Sequence, residues 1–227
     1  MIFGDNVSRL NPDVLRLYLV TDQSLTRGRP LADVVAAAVQ EGVSCVQLRE
    51  KDLGSREFLA QALMLKKLLA AHGVPLVIDD RIDIALACGA EGVHLGQSDM
   101  PVDKPFRLLP PGVFIGWSVE SMVDVLQSAT LPLDYLGVSP IFPRPPRPIP
   151  GMPGGLDGLA AVCAATRLPL VAIGGIHAGN AREVLRAGAD SLAVVSALCA
   201  ASDPHAAAAN LRMFCDEELK ARKQTND

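Results

Sequence analysis

Alternating polar side chains in one short stretch of the chain are suited to holding an anion. Gln47, Arg49 and Lys51 occupy every second position. Alternate residues of an extended segment point to the same face, so an amide, a guanidinium and an ammonium group lie together there. Such a face favours phosphate or diphosphate as the ligand. The competing interpretation is an ordinary surface strand end, in which both cations pair with neighbouring acids.

Three aspartates follow the next two apolar runs of the chain. Asp79 and Asp80 come after the first of these runs, and Asp99 follows the second. Carboxylates that converge from neighbouring strands hold Mg²⁺ against phosphate oxygens. A solvated pair of acids capping the next helix is the competing interpretation. The cations nearby favour the metal, because acids and bases that converge beside a diphosphate need its charge to offset repulsion.

Small residues follow the last two apolar runs. Gly174 and Gly175 precede a predicted helix, Val195 ends the final run and Ser196 follows it. Backbone N–H groups at such turns bind phosphate in many barrels. A Gly-Gly turn carries little information by itself, but this location favours a phosphate site.

The histidines predict less chemistry. His94 lies within a Val-His-Leu run and is predicted to line the core, with its polar atoms satisfied by a neighbour. His177 follows the glycine turn, where a ligand contact is a minor alternative. No spacing typical of a metal-ligand set or a nucleophilic triad is present.

Eight apolar runs must position these groups. They cover residues 16–21, 44–49, 75–78, 92–95, 113–116, 135–138, 170–173 and 192–195. Amphipathic stretches of helical period alternate with them, at 31–40, 56–71, 119–129, 155–166, 180–187 and 204–220. This alternation predicts an α/β fold, a single (β/α)8 TIM barrel with its active site at the carboxyl ends of the strands. A doubly wound open sheet is disfavoured, because no Gly-x-Gly-x-x-Gly turn follows the first run.

One domain accounts for all 227 residues. Residues 1–15 are predicted to form an N-terminal extension, and residues 221–227 a frayed C-terminal tail. The Pro-rich segment 143–155 suits neither helix nor sheet and is predicted as an extended loop over the site.

Composition excludes several classes of protein. With 49% hydrophobic and 20% charged residues the chain is globular, and with 4% aromatic residues its core must be mainly aliphatic. A net charge of -4 and the lack of a basic stripe argue against nucleic acid as a partner. The five cysteines form no CxxC pair and are expected as free thiols in a reducing cytosol. No leader or membrane span is predicted, so we expect a cytoplasmic location.

Seven motifs, taken in order, resemble the thiamine phosphate synthase family. They are Tyr18-Leu-Val-Thr-Asp22, Gln47-Leu-Arg-Glu-Lys51, Val77-Ile-Asp-Asp-Arg81, Gly92-Val-His-Leu-Gly-Gln-Ser-Asp99, Ile115-Gly-Trp-Ser118, Pro140-Ile-Phe-Pro143 and Ala172-Ile-Gly-Gly-Ile176. The resemblance implies a (β/α)8 enzyme, an Mg²⁺-dependent transferase. It would join 4-amino-2-methyl-5-(diphosphooxymethyl)pyrimidine to carboxythiazole or hydroxyethylthiazole phosphate. Diphosphate leaves, and the thiazole nitrogen attacks the resulting pyrimidine methylene cation.

The resemblance also implies a role for each matching residue. The catalytic residues would be Arg49, Lys51, Ser118 and Arg147. The pyrimidine diphosphate would contact Gln47, Leu48, Arg49, Glu50, Lys51, Asp79, Ser118 and Arg147. The thiazole phosphate would contact Arg144, Pro145, Pro146, Gly175, Val195 and Ser196, and Asp80 and Asp99 would bind Mg²⁺. The oligomeric state is left open, a homo-oligomer included.

Two departures from the family pattern affect these roles. Asp79 replaces the usual Asn, which adds a charge and, when ionised, removes a hydrogen-bond donor. It would bind the pyrimidine differently, titrate upward beside Asp80, or join the metal shell. The family's Thr-Pro-Thr-Lys loop is Arg144-Pro-Pro-Arg147 here. Arg147 can replace Lys as a cation for diphosphate, and Arg144 can bind the thiazole carboxylate or phosphate, although the change equally fits a different acceptor.

Two other functions remain alternatives. A thiazole tautomerase is a related barrel without the Lys and the paired acids, so Lys51, Asp80 and Asp99 argue against it. A barrel that binds thiamine precursors without catalysis would follow from loss of the threonine loop.

Overall fold

Eight parallel strands form a closed barrel, in which each strand pairs with its sequence neighbours and β1 pairs with β8. The computed structural model describes residues 10–142 and 155–226. The strands are β1 (Leu17–Val20), β2 (Cys45–Leu48), β3 (Leu76–Asp79), β4 (Gly92–Leu95), β5 (Phe114–Val119), β6 (Tyr135–Val138), β7 (Leu170–Ile173) and β8 (Ser191–Val194). The predicted (β/α)8 barrel is confirmed, and the open-sheet alternative is wrong.

Helices follow the strands and pack around the barrel. They are α1 (Leu31–Gln40), α2 (Ser55–Ala70), α3 (Ile82–Cys88), α4 (Pro105–Leu108), α5 (Met122–Ser128), α6 (Gly155–Ala165), α7 (Ala181–Arg186), α8 (Ser196–Cys199) and α9 (Pro204–Asn226). Short 3-10 helices occupy Pro12–Leu15 and Gln23–Leu25. Within the two described ranges, none of these helices combines the length and apolarity needed to cross a membrane.

The strands bury both of their faces, which explains why they are nearly continuous apolar runs. On β1, Leu17 and Leu19 pack in the outer core against the helices, whereas Tyr18 and Val20 lie in a second cluster inside the barrel. The same alternation places Cys45 of β2 inside. Because all strands are parallel, their carboxyl ends meet at one rim, where polar side chains can converge.

One predicted boundary is wrong at β5. Val119 belongs to this strand, although the periodicity places it at the start of a helix. The helix begins at Met122, where the Ser121 hydroxyl accepts a hydrogen bond from the Asp124 N–H at 3.2 Å. Ser118 consequently lies on a strand, with a fixed direction, and not in a turn.

The C-terminal helix is longer than predicted. It continues past Lys220 to Asn226, and the Arg222 guanidinium donates to the Ala189 carbonyl at 3.2 Å. Arg222 also pairs with Asp190. The helix therefore includes residues that the sequence pattern assigns to a frayed tail, because this arginine anchors it to the turn before β8.

Candidate active site

A cavity of about 290 Å³ opens at the carboxyl ends of the strands. Every strand contributes an inward-facing residue to its wall. Asp22, Arg49, Ser139 and Val195 extend the wall beyond the strand ends. This is the position at which barrel enzymes place their chemistry.

A larger cavity, of about 380 Å³, lies at the opposite end, where β5 and β6 begin. Phe106, Phe114 and Leu133 line it, and Asp134 is the one ionisable residue among those described around it. The Asp134 carboxylate accepts a hydrogen bond from the Ile115 N–H at 2.9 Å, so its duty is structural. Convergent charged groups are found at the smaller cavity, which we therefore take as the candidate active site.

Cations from β2 face acids from β3 at this rim. The Lys51 ammonium lies 3.5 Å from the nearer Asp79 carboxylate oxygen and also contacts Asp80. The Arg49 Nε lies 3.8 Å from the same Asp79 oxygen. Arg49 and Gln47 both line the cavity, so the alternation seen in the sequence does place side chains on one inner face. The structure thus brings both cations to the predicted anion site.

The three aspartates have different acidities. Burial, and then the charge of Asp80, raises the pKa of Asp79 from 3.8 to about 6. Burial also opposes ionisation of Asp80, but hydrogen bonds from Lys51 and Asp99 outweigh it and hold the pKa of Asp80 below its ordinary value. Burial, followed by the hydrogen bond with Asp80, raises the pKa of Asp99. Where these two carboxylates meet, Asp80 is therefore the stronger acid and Asp99 the weaker.

Asp80 and Asp99 fit a magnesium ion in one specific way. Their carboxylates approach closely enough to raise the pKa of Asp99, which is the arrangement that a divalent cation relieves. Among the described residues, no group of three or more His, Cys, Asp or Glu side chains is placed to hold a metal. Mg²⁺ usually takes one or two carboxylates and completes its shell with water and substrate phosphates, so two acids beside an anion site suffice.

Replacing Asp79 by asparagine is expected to stabilise the unliganded protein, and increasingly so at higher pH. A carboxyl whose pKa rises on folding contributes stability below its unfolded value and loses it as the pH passes the folded value, here about 6. Asparagine stays neutral, so the gain is on the order of 3 kcal/mol at pH 8 and about half that at pH 5. Urea unfolding of the parent protein and of Asp79→Asn at the two pH values measures this difference in the free energy of unfolding. A variant less stable than the parent at pH 8 would contradict this prediction.

Ser118 is held by a chain of hydrogen bonds inside the barrel. Its hydroxyl lies 2.9 Å from His94 Nε2, and His94 Nδ1 lies 2.9 Å from the Tyr135 hydroxyl. Tyr135 contacts the Tyr18 hydroxyl at 2.9 Å, and the Gln47 amide donates to Tyr18 at 3.1 Å. Burial lowers the pKa of His94 to about 4, so its imidazole is neutral at physiological pH. The expectation that a neighbour satisfies His94 is confirmed.

Tyr18 and Tyr135 are absent from the site residues predicted by the sequence. Both are fully buried, and both line the candidate site. A signal for them is nevertheless present, because a hydroxyl-bearing aromatic inside a barrel strand needs a polar partner within the barrel.

Glycines shape the rim on the side of β7. Gly174 and Gly175 have φ values of 100° and 74°. A Cβ atom on Gly175 would lie 2.5 Å from the Phe142 carbonyl oxygen, so this turn requires glycine. The Asn180 amide donates to the Gly175 carbonyl at 2.9 Å and fixes the turn. Val195 lines the cavity at the end of the neighbouring strand, so the predicted phosphate turns lie side by side.

Two of the predicted site residues point away from the cavity. Leu48 is fully buried in the outer core. The Glu50 side chain interacts with Gln61 on α2, and burial raises the pKa of Glu50. Neither side chain is therefore placed to contact a ligand in the cavity.

Four further predicted residues lie outside the described part of the chain. They are Arg144, Pro145, Pro146 and Arg147. The predicted extended loop over residues 143–155 falls in the same segment, apart from its last residue, which begins α6.

The closed barrel, with its charged rim at the carboxyl ends of the strands, is that of a (β/α)8-barrel enzyme. Residues 17–198 match the protein family described as thiamine monophosphate synthase. The chain therefore belongs to the thiamine monophosphate synthase family.

Individual relatives agree with this assignment. The chain is 71% identical over 202 residues to a thiamine-phosphate synthase of Albidiferax ferrireducens, covering 89% of this chain and 92% of that protein. It is 48% identical over 197 residues to a thiamine-phosphate synthase of Chloroflexus aurantiacus, covering 87% and 91%. The solved thiamine phosphate pyrophosphorylase of Pyrococcus furiosus superposes with a TM-score of 0.84 at 37% identity, covering 92% of this chain and 98% of that one.

Proposed function

We propose that this chain synthesises thiamine phosphate by joining the pyrimidine diphosphate to a thiazole phosphate, with release of diphosphate. The observation that carries the proposal is the meeting of Arg49 and Lys51 with Asp79 and Asp80 at the barrel rim. Family membership supplies the reaction, and this geometry supplies groups suited to it. Small molecules fit the cavity of about 290 Å³.

The cations act on the leaving group. As the bond between the pyrimidine methylene carbon and the diphosphate oxygen breaks, its electron pair stays on diphosphate, and Arg49 and Lys51 stabilise the added charge. The thiazole nitrogen then gives its lone pair to the carbon. Apolar side chains in the cavity wall, Val171, Ile173 and Val195, limit the water that reaches the carbocation.

Magnesium is part of this proposal. Asp80 and Asp99 are the residues that would hold Mg²⁺, which when bound neutralises charge on the diphosphate. Before the metal binds, Lys51 compensates the Asp80 carboxylate, and Asp99 keeps a raised pKa. Metal affinity should therefore rise with pH as Asp99 loses its proton.

A steady-state assay with both substrates and Mg²⁺ tests the function against its alternatives. Formation of thiamine phosphate and diphosphate, dependent on both substrates, is the expected result. Isomerisation of the thiazole alone would instead indicate a tautomerase, and binding without turnover would indicate a precursor-binding protein. Both outcomes would overturn the proposal.

A cytoplasmic setting is consistent with the five free cysteines, four of them buried.

Arg147→Ala is expected to raise KM for the pyrimidine diphosphate about tenfold, because one charge-assisted hydrogen bond to diphosphate is lost. KM for the thiazole phosphate should change little. Arg167→Ala, outside the loop and just beyond α6, is a matched control for the loss of a positive charge. Steady-state kinetics with each substrate varied in turn measures both constants. Unchanged constants in Arg147→Ala would show that this arginine is no part of the site.

A further inference from the structure

Five polar side chains form one continuous hydrogen-bonded chain through the interior of the barrel. It begins at Gln47, passes through Tyr18, Tyr135 and His94, and ends at Ser118, with spacings of 2.9 to 3.1 Å. The His94 and Tyr135 rings also stack, with centroids 5.5 Å apart. Gln47 and Ser118, at the two ends, are expected to touch substrate by family resemblance, so Tyr18, Tyr135 and His94 between them need a separate explanation.

The fold makes room for this chain with two glycines. A Cβ atom on Gly116 of β5 would lie 2.0 Å from the Tyr135 ring. One on Gly137 of β6 would lie 3.0 Å from His94 Cε1. Glycine weakens a strand, so its presence at two neighbouring positions indicates that both rings are required where they are.

The donors set the direction of the chain. Gln47 donates its amide N–H to the Tyr18 oxygen, which leaves the Tyr18 proton for another acceptor. The Cys45 thiol also interacts with Tyr18, but sulfur is a weak acceptor, so Tyr18 donates to the Tyr135 oxygen. Burial raises the pKa of both phenols, so both keep their protons.

The same direction continues to Ser118. Tyr135 accepts from Tyr18, and His94 Nδ1 is the other partner that the described residues give its hydroxyl, so we take the Tyr135 proton to go to Nδ1. A neutral imidazole has one donor and one acceptor, so His94 Nε2 carries the proton and donates to the Ser118 oxygen. The Ser118 proton is then free to point into the cavity.

We propose that Tyr18, Tyr135 and His94 are positioning residues that orient the Ser118 hydroxyl as a donor, so that the site selects a ring bearing a hydrogen-bond acceptor. The ring nitrogen of an aromatic heterocycle has this chemistry. A ring with a donor at that position would leave the Ser118 proton without its acceptor and should bind more weakly. The identity of the ring as the pyrimidine substrate rests on the proposed function, whereas the direction of the chain does not.

The direction is tested without any substrate. The protein has four histidines, so ¹⁵N-histidine labelling gives a simple spectrum. The signal of His94 is assigned as the one that disappears in His94→Gln. The ¹⁵N shifts of the imidazole should show the proton on Nε2. A proton on Nδ1 would overturn the proposal even in a fully active enzyme.

The positioning role is tested by kinetics. Tyr135→Phe removes one oxygen and should raise KM for the pyrimidine diphosphate about tenfold while KM for the thiazole phosphate stays within about twofold. Ser118→Ala should have a similar effect, and the double variant should be no worse than Ser118→Ala alone. Phe114→Leu alters the packing beside the Tyr135 ring without removing any of the hydrogen-bonding groups, and serves as the matched control.

The outcomes separate this proposal from the proposed function. Additive effects in the double variant, or equal changes in both KM values, would reduce Tyr135 to a packing residue and overturn the positioning role. Should Tyr135→Phe fail to fold, Tyr18→Phe replaces it, with an expected change of about threefold because Tyr18 lies further from Ser118. Absence of turnover in the parent protein would contradict the proposed function. The ¹⁵N spectrum of His94 would then remain as the test of the direction of these hydrogen bonds.

Discussion

Asp99→Asn is expected to lower kcat/KM by at least about 100-fold at limiting Mg²⁺, through loss of a metal ligand. Asparagine is the informative replacement, because the Asp99 carboxylate also accepts a hydrogen bond from the Gly96 N–H at 2.6 Å. An amide oxygen can keep this bond while the charge is removed. Asp99→Ala removes both the charge and the bond, and should lose most activity together with some stability. Comparison of the two variants separates metal binding from support of the turn.

The measurement is a Mg²⁺ titration of steady-state turnover, accompanied by calorimetric titration of Mg²⁺ in the presence of diphosphate. Asp103→Asn provides the control, since Asp103 pairs with Lys104 close by in the same loop but away from the acids of the site. Unchanged turnover of Asp99→Asn at limiting Mg²⁺ would show that this carboxylate is not a ligand.

Lys51→Met is expected to reduce kcat by about 100- to 1000-fold, because the removed ammonium stabilises charge that develops on the leaving diphosphate. Methionine keeps most of the apolar stem, so the change is mainly electrostatic. The substitution also leaves Asp79 and Asp80 without their closest cation, and the pKa of Asp80 should rise. Binding of Mg²⁺ should then compete more strongly with protons, and activity should recover partly as pH increases.

Single-turnover kinetics with saturating pyrimidine diphosphate measures this effect on the chemical step. Lys104→Met, which removes a surface lysine paired with Asp103, is the matched control and should retain parent activity. A Lys51→Met enzyme within about twofold of the parent rate would exclude Lys51 from leaving-group stabilisation, since loss of such a group has large effects on kcat.

The barrel could be predicted from the sequence because its strands bury both faces and are therefore recognisable as apolar runs. Three strands, β4, β6 and β7, coincide with the predicted residues. The short helix α4 was not predicted, because four residues are too few to show a helical period. The boundary of β5 was missed for a related reason, since Val119 fits both a strand end and a helix start.

The candidate site, like the fold, could be predicted only in part. Alternation along β2 was enough to place Gln47 and Arg49 on one face, because that pattern is local. The structural duty of Asp99 toward Gly96 was not predicted, since it depends on the shape of the β4 to α4 loop. Nor was the pairing of Tyr18 with Tyr135, which lie 117 positions apart and meet only when the barrel closes.

The charged groups and the glycine turns occupy separate arcs of the rim, on either side of β1, and this separation has an evolutionary consequence. Arg49, Lys51 and Asp79 come from the β2 and β3 side, whereas Gly175 and Val195 follow β7 and β8. Each arc is encoded by its own half of the gene. Under the proposed roles, mutations around the later glycine turns can retune acceptor recognition while Arg49 and Lys51 still serve the leaving group. A barrel of this kind can then acquire a new acceptor without passing through an inactive ancestor.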